Sequence, residues 1–191
     1  MLEISQTRGC RRMLRLRAFL LVTLLGTCGL AWGQGSGRCE LPESLSVQIS
    51  RLHAGYSVIT ANALRKSDRS RYRADHGPSC PGFVKLDFYG SALPTYGLAL
   101  AKREDKNVYA KLLVATQVEK AANKWNVVEL DSASVTAAPV IWAEAPGEYK
   151  DVHGEKVIKA KHSVLLFVEY ESWGIVYAWN GTEIQKVWVS D

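Results

Sequence analysis

The sequence predicts an α+β fold in which N-terminal helices pack on a curved, mostly antiparallel β-sheet, a meander of about seven to nine strands. Three observations carry this expectation. Residues 163–189 (SVLLFVEYESWGIVYAWNGTEIQKVWV) hold a long apolar, β-branched and aromatic run in which Val164, Leu166, Val168 and Tyr170 alternate with Leu165, Phe167, Glu169 and Glu171. From Phe83 onward the chain alternates in short segments punctuated by turn residues. Before that point the spacing is helical instead, with Leu45, Ile49 and Leu52 on one face.

Residues 1–33 read as an export signal and are expected to lie outside the fold. Arg8, Arg11, Arg12, Arg15 and Arg17 precede an apolar core at 18–30, and Ala31-Trp32-Gly33 offers small residues to a signal peptidase, so cleavage is expected before Gln34. Met13 opens an equally compact signal, which leaves two candidate starts. The leader holds five of the 24 Lys and Arg and one of the 19 Asp and Glu, leaving 19 basic against 18 acidic residues in 34–191. The basicity of the whole chain therefore belongs to its leader, and nucleic acid is not implied as a partner. Residues 34–191 are expected to form one domain, periplasmic or secreted, with no membrane-spanning segment once the signal is removed.

Two cysteines remain after the leader, Cys39 and Cys80, and an even count in an exported chain reads as one disulfide. Next come a helix at 42–53 that opens on Pro42 and Glu43 and stops at Gly55, a brief strand at 56–60, and a charged, exposed helix at 63–74. His76-Gly77-Pro78-Ser79-Cys80-Pro81-Gly82 excludes regular structure. Strands are expected at 83–89, 95–102, 109–117, 125–130, 140–143 and 157–161. The final hairpin pairs 175–179 with 183–189 about Asn180-Gly181, a dipeptide suited to a two-residue type I′ turn, and Trp179 and Trp188 are expected to meet across it.

Between two of these strands, Asp87-Phe88-Tyr89-Gly90-Ser91-Ala92-Leu93-Pro94-Thr95-Tyr96 resembles the calcium loop of FG-GAP or VCBS-type repeats. Asp87, Phe88, Gly90, Pro94 and Tyr96 stand where that loop has them. Tyr89, Ser91 and Thr95 occupy its ligand positions, and Ala92 replaces its turn glycine. The resemblance implies a strand-loop-strand shape, with Asp87, Ser91 and Thr95 as the residues that would face a metal. One carboxylate and two hydroxyls fall short of the six to eight oxygens calcium takes, so no cofactor is expected. Over most of residues 34–191 the succession of motifs is similar to small uncharacterised exported bacterial proteins, which implies an address and a fold class but no activity.

Catalytic constellations are sparse. Glu169 and Glu171 lie two apart, hence ~6.5–7 Å between Cα atoms on one strand face, a spacing that invites comparison with the acid and base of glycoside hydrolases. Trp173 follows and would serve as a stacking platform, so Trp173, Glu169 and Glu171 are the candidate binding residues. His53, His76, His153 and His162 show no zinc spacing, and no serine sits in a nucleophile elbow. The leading expectation is a non-enzymatic module binding a protein or envelope ligand, of inhibitor or neutraliser type. The alternatives are a cell-wall glycan hydrolase using Glu169 and Glu171, and a structural envelope protein with a degenerate calcium loop.

Overall fold

A computed structural model describes residues 39–105, 107–118 and 123–190; the expected export signal lies outside them. The chain opens with helix α1 (Glu43–Leu52), the two-residue strand β1 (Ser57–Val58), a single 3₁₀ turn (Ala61–Ala63) and helix α2 (Lys66–His76). Strands β2 (Phe83–Lys85), β3 (Thr95–Glu104), β4 (Asn107–Gln117) and β5 (Trp125–Val135) follow. Then come β6 (Val140–Glu144), β7 (Gly147–Lys150), β8 (Val157–Ala160), β9 (Val164–Glu169), β10 (Trp173–Trp179) and β11 (Ile184–Ser190). Every pairing between them is antiparallel. No helix of the described residues is long and apolar enough to cross a membrane.

The strands form three sheets. In the first, β3, β4 and β5 pair in sequence, while β1 and β2 share the free edge of β3, at Ala101 and Leu100 and at Leu98 to Tyr96 respectively. The second has the order β11-β10-β9-β6, and β7 and β8 form a separate hairpin. Alternation then sorts the side chains. Ala99, Leu112 and Val114 of the first sheet meet Ile141, Leu165, Phe167, Ile175 and Tyr177 of the second in one buried cluster. The opposite face of the first sheet sends Leu98, Leu100, Leu113 and Ala115 into a cluster with Leu45 and Ile49 of α1. Burying two such aliphatic side chains is worth ~1.5–3 kcal/mol each, which outweighs the weak intrinsic stability of a ten-residue helix. The outward face of the second sheet, Val164, Val176, Ala178 and Val187, is covered by Ile158 and Tyr149 of the β7–β8 hairpin.

The β-rich, antiparallel class is as the sequence predicts, but the strands do not make a single meander. After β5 the chain leaves one sheet for the other through Thr136-Ala137-Ala138-Pro139. Pro139 has no N–H to give a ladder. The two preceding N–H groups that matter, those of Thr136 and Ala137, are taken by the carboxylate of Glu169 at 3.0 and 2.8 Å. Strand β7, which lies between the strands expected at 140–143 and 157–161, pairs with β8 from Gly147↔Ala160 to Lys150↔Val157.

The last hairpin also differs. Trp179 pairs with Ile184, which leaves a four-residue loop at 180–183 rather than a two-residue turn. Gly181 takes the positive φ (107°), and the Asn180 side-chain oxygen accepts the N–H groups of Thr182 and Glu183, both at 2.9 Å. Trp179 and Trp188 consequently do not meet. Trp188 stands opposite Ile175 and lies edge-on to Trp173 at 6.2 Å, whereas Trp179 meets Tyr89 at 5.3 Å.

The expected disulfide is present, joining Cys39 to Cys80 with Cα atoms 5.2 Å apart. It encloses α1, β1 and α2 in one covalent loop.

Candidate functional site

Glu169 and Glu171 are placed in opposite settings. Strand β9 ends at Glu169, in the parity of Leu165 and Phe167, so its side chain belongs to the inner row and is only 3% exposed. One carboxylate oxygen accepts Thr136 N–H, the Thr136 hydroxyl (2.5 Å) and Ala137 N–H; the other accepts the indole N–H of Trp173 at 3.0 Å. Four donors satisfy a buried charge that would otherwise be costly. Glu171 lies beyond the strand, in the β9–β10 turn with φ of 64°, and pairs with Arg71 of α2 at 3.0 Å with its side chain 66% exposed. Trp173 therefore joins Glu169 through a hydrogen bond, while Glu171 turns to the helix.

The loop from Leu86 to Pro94 joins β2 to β3. The Asp87 carboxylate lies 3.7 Å from Nδ1 of His162, and its backbone oxygen accepts Ser163 N–H at 3.0 Å. Gly90, with φ of 69°, runs against the His162 ring. Thr95 is buried, its hydroxyl at 3.2 Å from both Leu93 O and the Thr116 hydroxyl. Ser91 lines a shallow cleft with Tyr89, Leu93 and Val118. Asp87 thus turns to His162, whereas Ser91 and Thr95 both lie by Leu93 and Thr116, and no group of three His, Cys, Asp or Glu able to hold a metal occurs among the described residues.

A concavity lies elsewhere, where the β7–β8 turn meets the outer edge of β11. It encloses about 350 Å³ between Asp151, Val152, His153 and Lys156 on one side and Lys186, Val187 and Trp188 on the other. The turn is fastened to the edge: Val152 N–H donates to Trp188 O at 2.9 Å, and the Lys156 ammonium to Lys186 O at 2.7 Å. Asp151 holds the turn itself, accepting Glu155 N–H at 2.8 Å. Trp188 remains 45% exposed, an aromatic face in the same cleft as Lys156 and Lys186.

Lys186 is fixed from beneath. Its ammonium reaches Asp131 of β5 at 3.1 Å, and the same carboxylate oxygen accepts the hydroxyl of buried Tyr177. Burial, then the neighbouring Asp131, pushes the Tyr177 phenol far up from its ordinary value, so it stays a donor. Asp131 reaches this position through a bulge. Leu112 opposes Asp131 and Leu113 opposes Glu129, which leaves Leu130 as an extra residue in β5 and reverses the parity after it. Without the bulge Asp131 would share the outer face with Trp125 and Val127.

Chemically, this cleft offers stacking and apolar contact on an indole, cationic groups at its rim and the single imidazole of His153. Sequence reasoning singled out Trp173 as the stacking platform and assigned Trp188 to a pairing with Trp179. The available signal was the parity of Lys186 and Trp188 against the apolar Val187 and Val189. Comparison of the chain with known protein families, with curated proteins and with solved structures finds no match.

Proposed function

We propose that this protein is a non-enzymatic, exported binding module that takes a protein or envelope ligand in the cleft between the β7–β8 turn and β11, with Trp188 as anchor. The observation that carries the reading is a half-exposed tryptophan in a pre-formed recess whose walls are tied together by backbone and ammonium hydrogen bonds. Rigid aromatic anchors in such recesses are where binding energy concentrates, because ordering them on association costs little entropy. Lys156, Asp151 and the Asp131-paired Lys186 give the rim charges of both signs, which suits a polar ligand surface around the apolar anchor. An inhibitor or neutraliser belongs to this class.

Glycan hydrolysis by Glu169 and Glu171 has weaker support. A general acid or nucleophile must reach substrate, and Glu169 is buried under four donors while Glu171 is ion-paired on the surface. The test is a comparison of wild type and Trp188→Ala, immobilised and exposed to envelope extract, with glycan turnover followed alongside. The proposal expects a component retained by wild type and lost from the variant, without turnover. Equal retention by both, or glycan cleavage abolished by Glu169→Gln in a protein that stays folded, overturns it.

A further inference from the structure

A second cleft, of about 270 Å³, lies along α2, lined by Leu64, Arg69, Arg73, Gly77, Pro78 and Ser79 among others. It shares no residue with the Trp188 cleft. Helix α2 divides its charges between two sides. Asp68, Arg71 and Asp75 lie close enough to Tyr170 to act on its phenol, and Arg71 is neutralised by Glu171. Arg69 and Arg73, four apart and hence neighbours on one helical face, line the cleft instead. Among the described residues neither pairs with a carboxylate, and the cleft lining contains no acidic side chain.

Arg69 is also held in place. Its Nη2 donates to Leu64 O at 3.2 Å and to Asn62 O at 3.5 Å, which fixes the plane of the guanidinium. Its Nε is buried and has no acceptor. An Nε with no exposed surface lies out of a ligand's reach, so a ligand in the cleft would meet the remaining guanidinium N–H groups of Arg69 and those of Arg73. Arg73 adds a second planar fork, and Leu64, Ala61 and Pro78 add apolar walls beside the two guanidiniums.

We propose that this cleft is a binding site for a compact oxyanion group, a carboxylate, sulfate or phosphate, held by Arg69 and Arg73. The volume suits one such group on a small body rather than an extended polymer. Guanidinium forks match the planar or tetrahedral oxygens of these anions, which ammonium groups do less well.

Calorimetric titration of the exported protein with inorganic phosphate, sulfate and acetate separately, at fixed ionic strength made up with chloride, tests the site and distinguishes the three chemistries. At least one anion is expected to bind saturably at one site per chain. Arg73→Gln should weaken it at least about tenfold, since one charge-assisted pair is lost. Arg71→Gln, on the opposite side of the helix, should leave it unchanged. Arg73 is exposed, so its variant is expected to unfold at the wild-type denaturant concentration, which separates loss of the site from loss of the fold. No saturable heat with any of the three anions, or equal affinity in Arg73→Gln, overturns the proposal.

Discussion

The carboxylate of Glu169, the last residue of β9, accepts the backbone N–H of Ala137 at 2.8 Å, 32 positions earlier in the chain. This bond, with its partner to Thr136, lies where the chain passes from the β3–β5 sheet to the β6–β11 sheet. An acid that the sequence offered as a catalytic candidate thus holds the crossover on which the two-sheet arrangement depends.

Glu169→Gln tests that role. Whichever way the amide is turned, its NH₂ faces a donor, either the Trp173 indole or the Thr136 and Ala137 N–H groups. A loss of about 1–3 kcal/mol in urea unfolding is expected. An unchanged midpoint would show that the carboxylate is not needed for the fold.

The Cys39–Cys80 bond closes a 41-residue separation around the helical segment. Replacing both cysteines by alanine should cost about 2–4 kcal/mol, read as a lower denaturation midpoint. Adding a reductant to wild type should reproduce the shift, and should do nothing to the double variant.

Two glycines separate backbone strain from close approach. At Gly82 a Cβ would stand 2.4 Å from Ile59 O, 2.7 Å from Ile59 N and 2.9 Å from Ala99 O, all backbone atoms, the last two being donor and acceptor of one hydrogen bond. Gly82→Ala should cost about 3 kcal/mol. Gly154 has φ of 74° but open space around it, so Gly154→Ala should cost only the left-handed backbone penalty of about 1 kcal/mol. Thermal melts of the two variants give the order.

Tyr170 predicts alkaline behaviour. Burial, with the charges of Asp75 nearby, pushes its phenol up to about 12, while in the unfolded chain it titrates near 10. Below pH 10 the hydroxyl is protonated in both states and contributes no pH dependence. Between pH 10 and 12 the unfolded chain releases the proton and the folded one keeps it, so stability falls as pH rises. Tyr170→Phe should flatten that decline. At neutral pH it should be neutral or slightly stabilising, because the buried hydroxyl it removes has no hydrogen-bond partner. Unfolding midpoints of both proteins from pH 7 to 12 decide it.

Local patterns announced most of the elements. The spacing of Leu45 and Ile49 located α1, and the alternation after Ser163 located β9, β10 and β11 to within a residue or two. What stayed hidden depends on contacts distant in sequence. The extra residue at Leu130 is invisible to alternation, yet it turns Asp131 inward to Tyr177 and Lys186. The alternation set Glu169 opposite the wholly apolar row of Val164, Leu166, Val168 and Tyr170, which pointed it outward, whereas it is buried in the row of Leu165 and Phe167. The donors that make an inward carboxylate tolerable, Thr136 and Ala137, come from a segment that no local pattern links to β9. The Trp188 cleft is hidden for the same reason, since one wall comes from the turn after β7 and the other from the edge of β11.

The most direct measurement is hydrogen–deuterium exchange on the protein alone and with its captured envelope component bound. The account predicts new protection at 151–156 and 184–190, the two walls of the Trp188 cleft, with 170–173 unchanged. Protection confined to 170–173 and the facing side of α2, with the cleft walls exchanging as before, contradicts it.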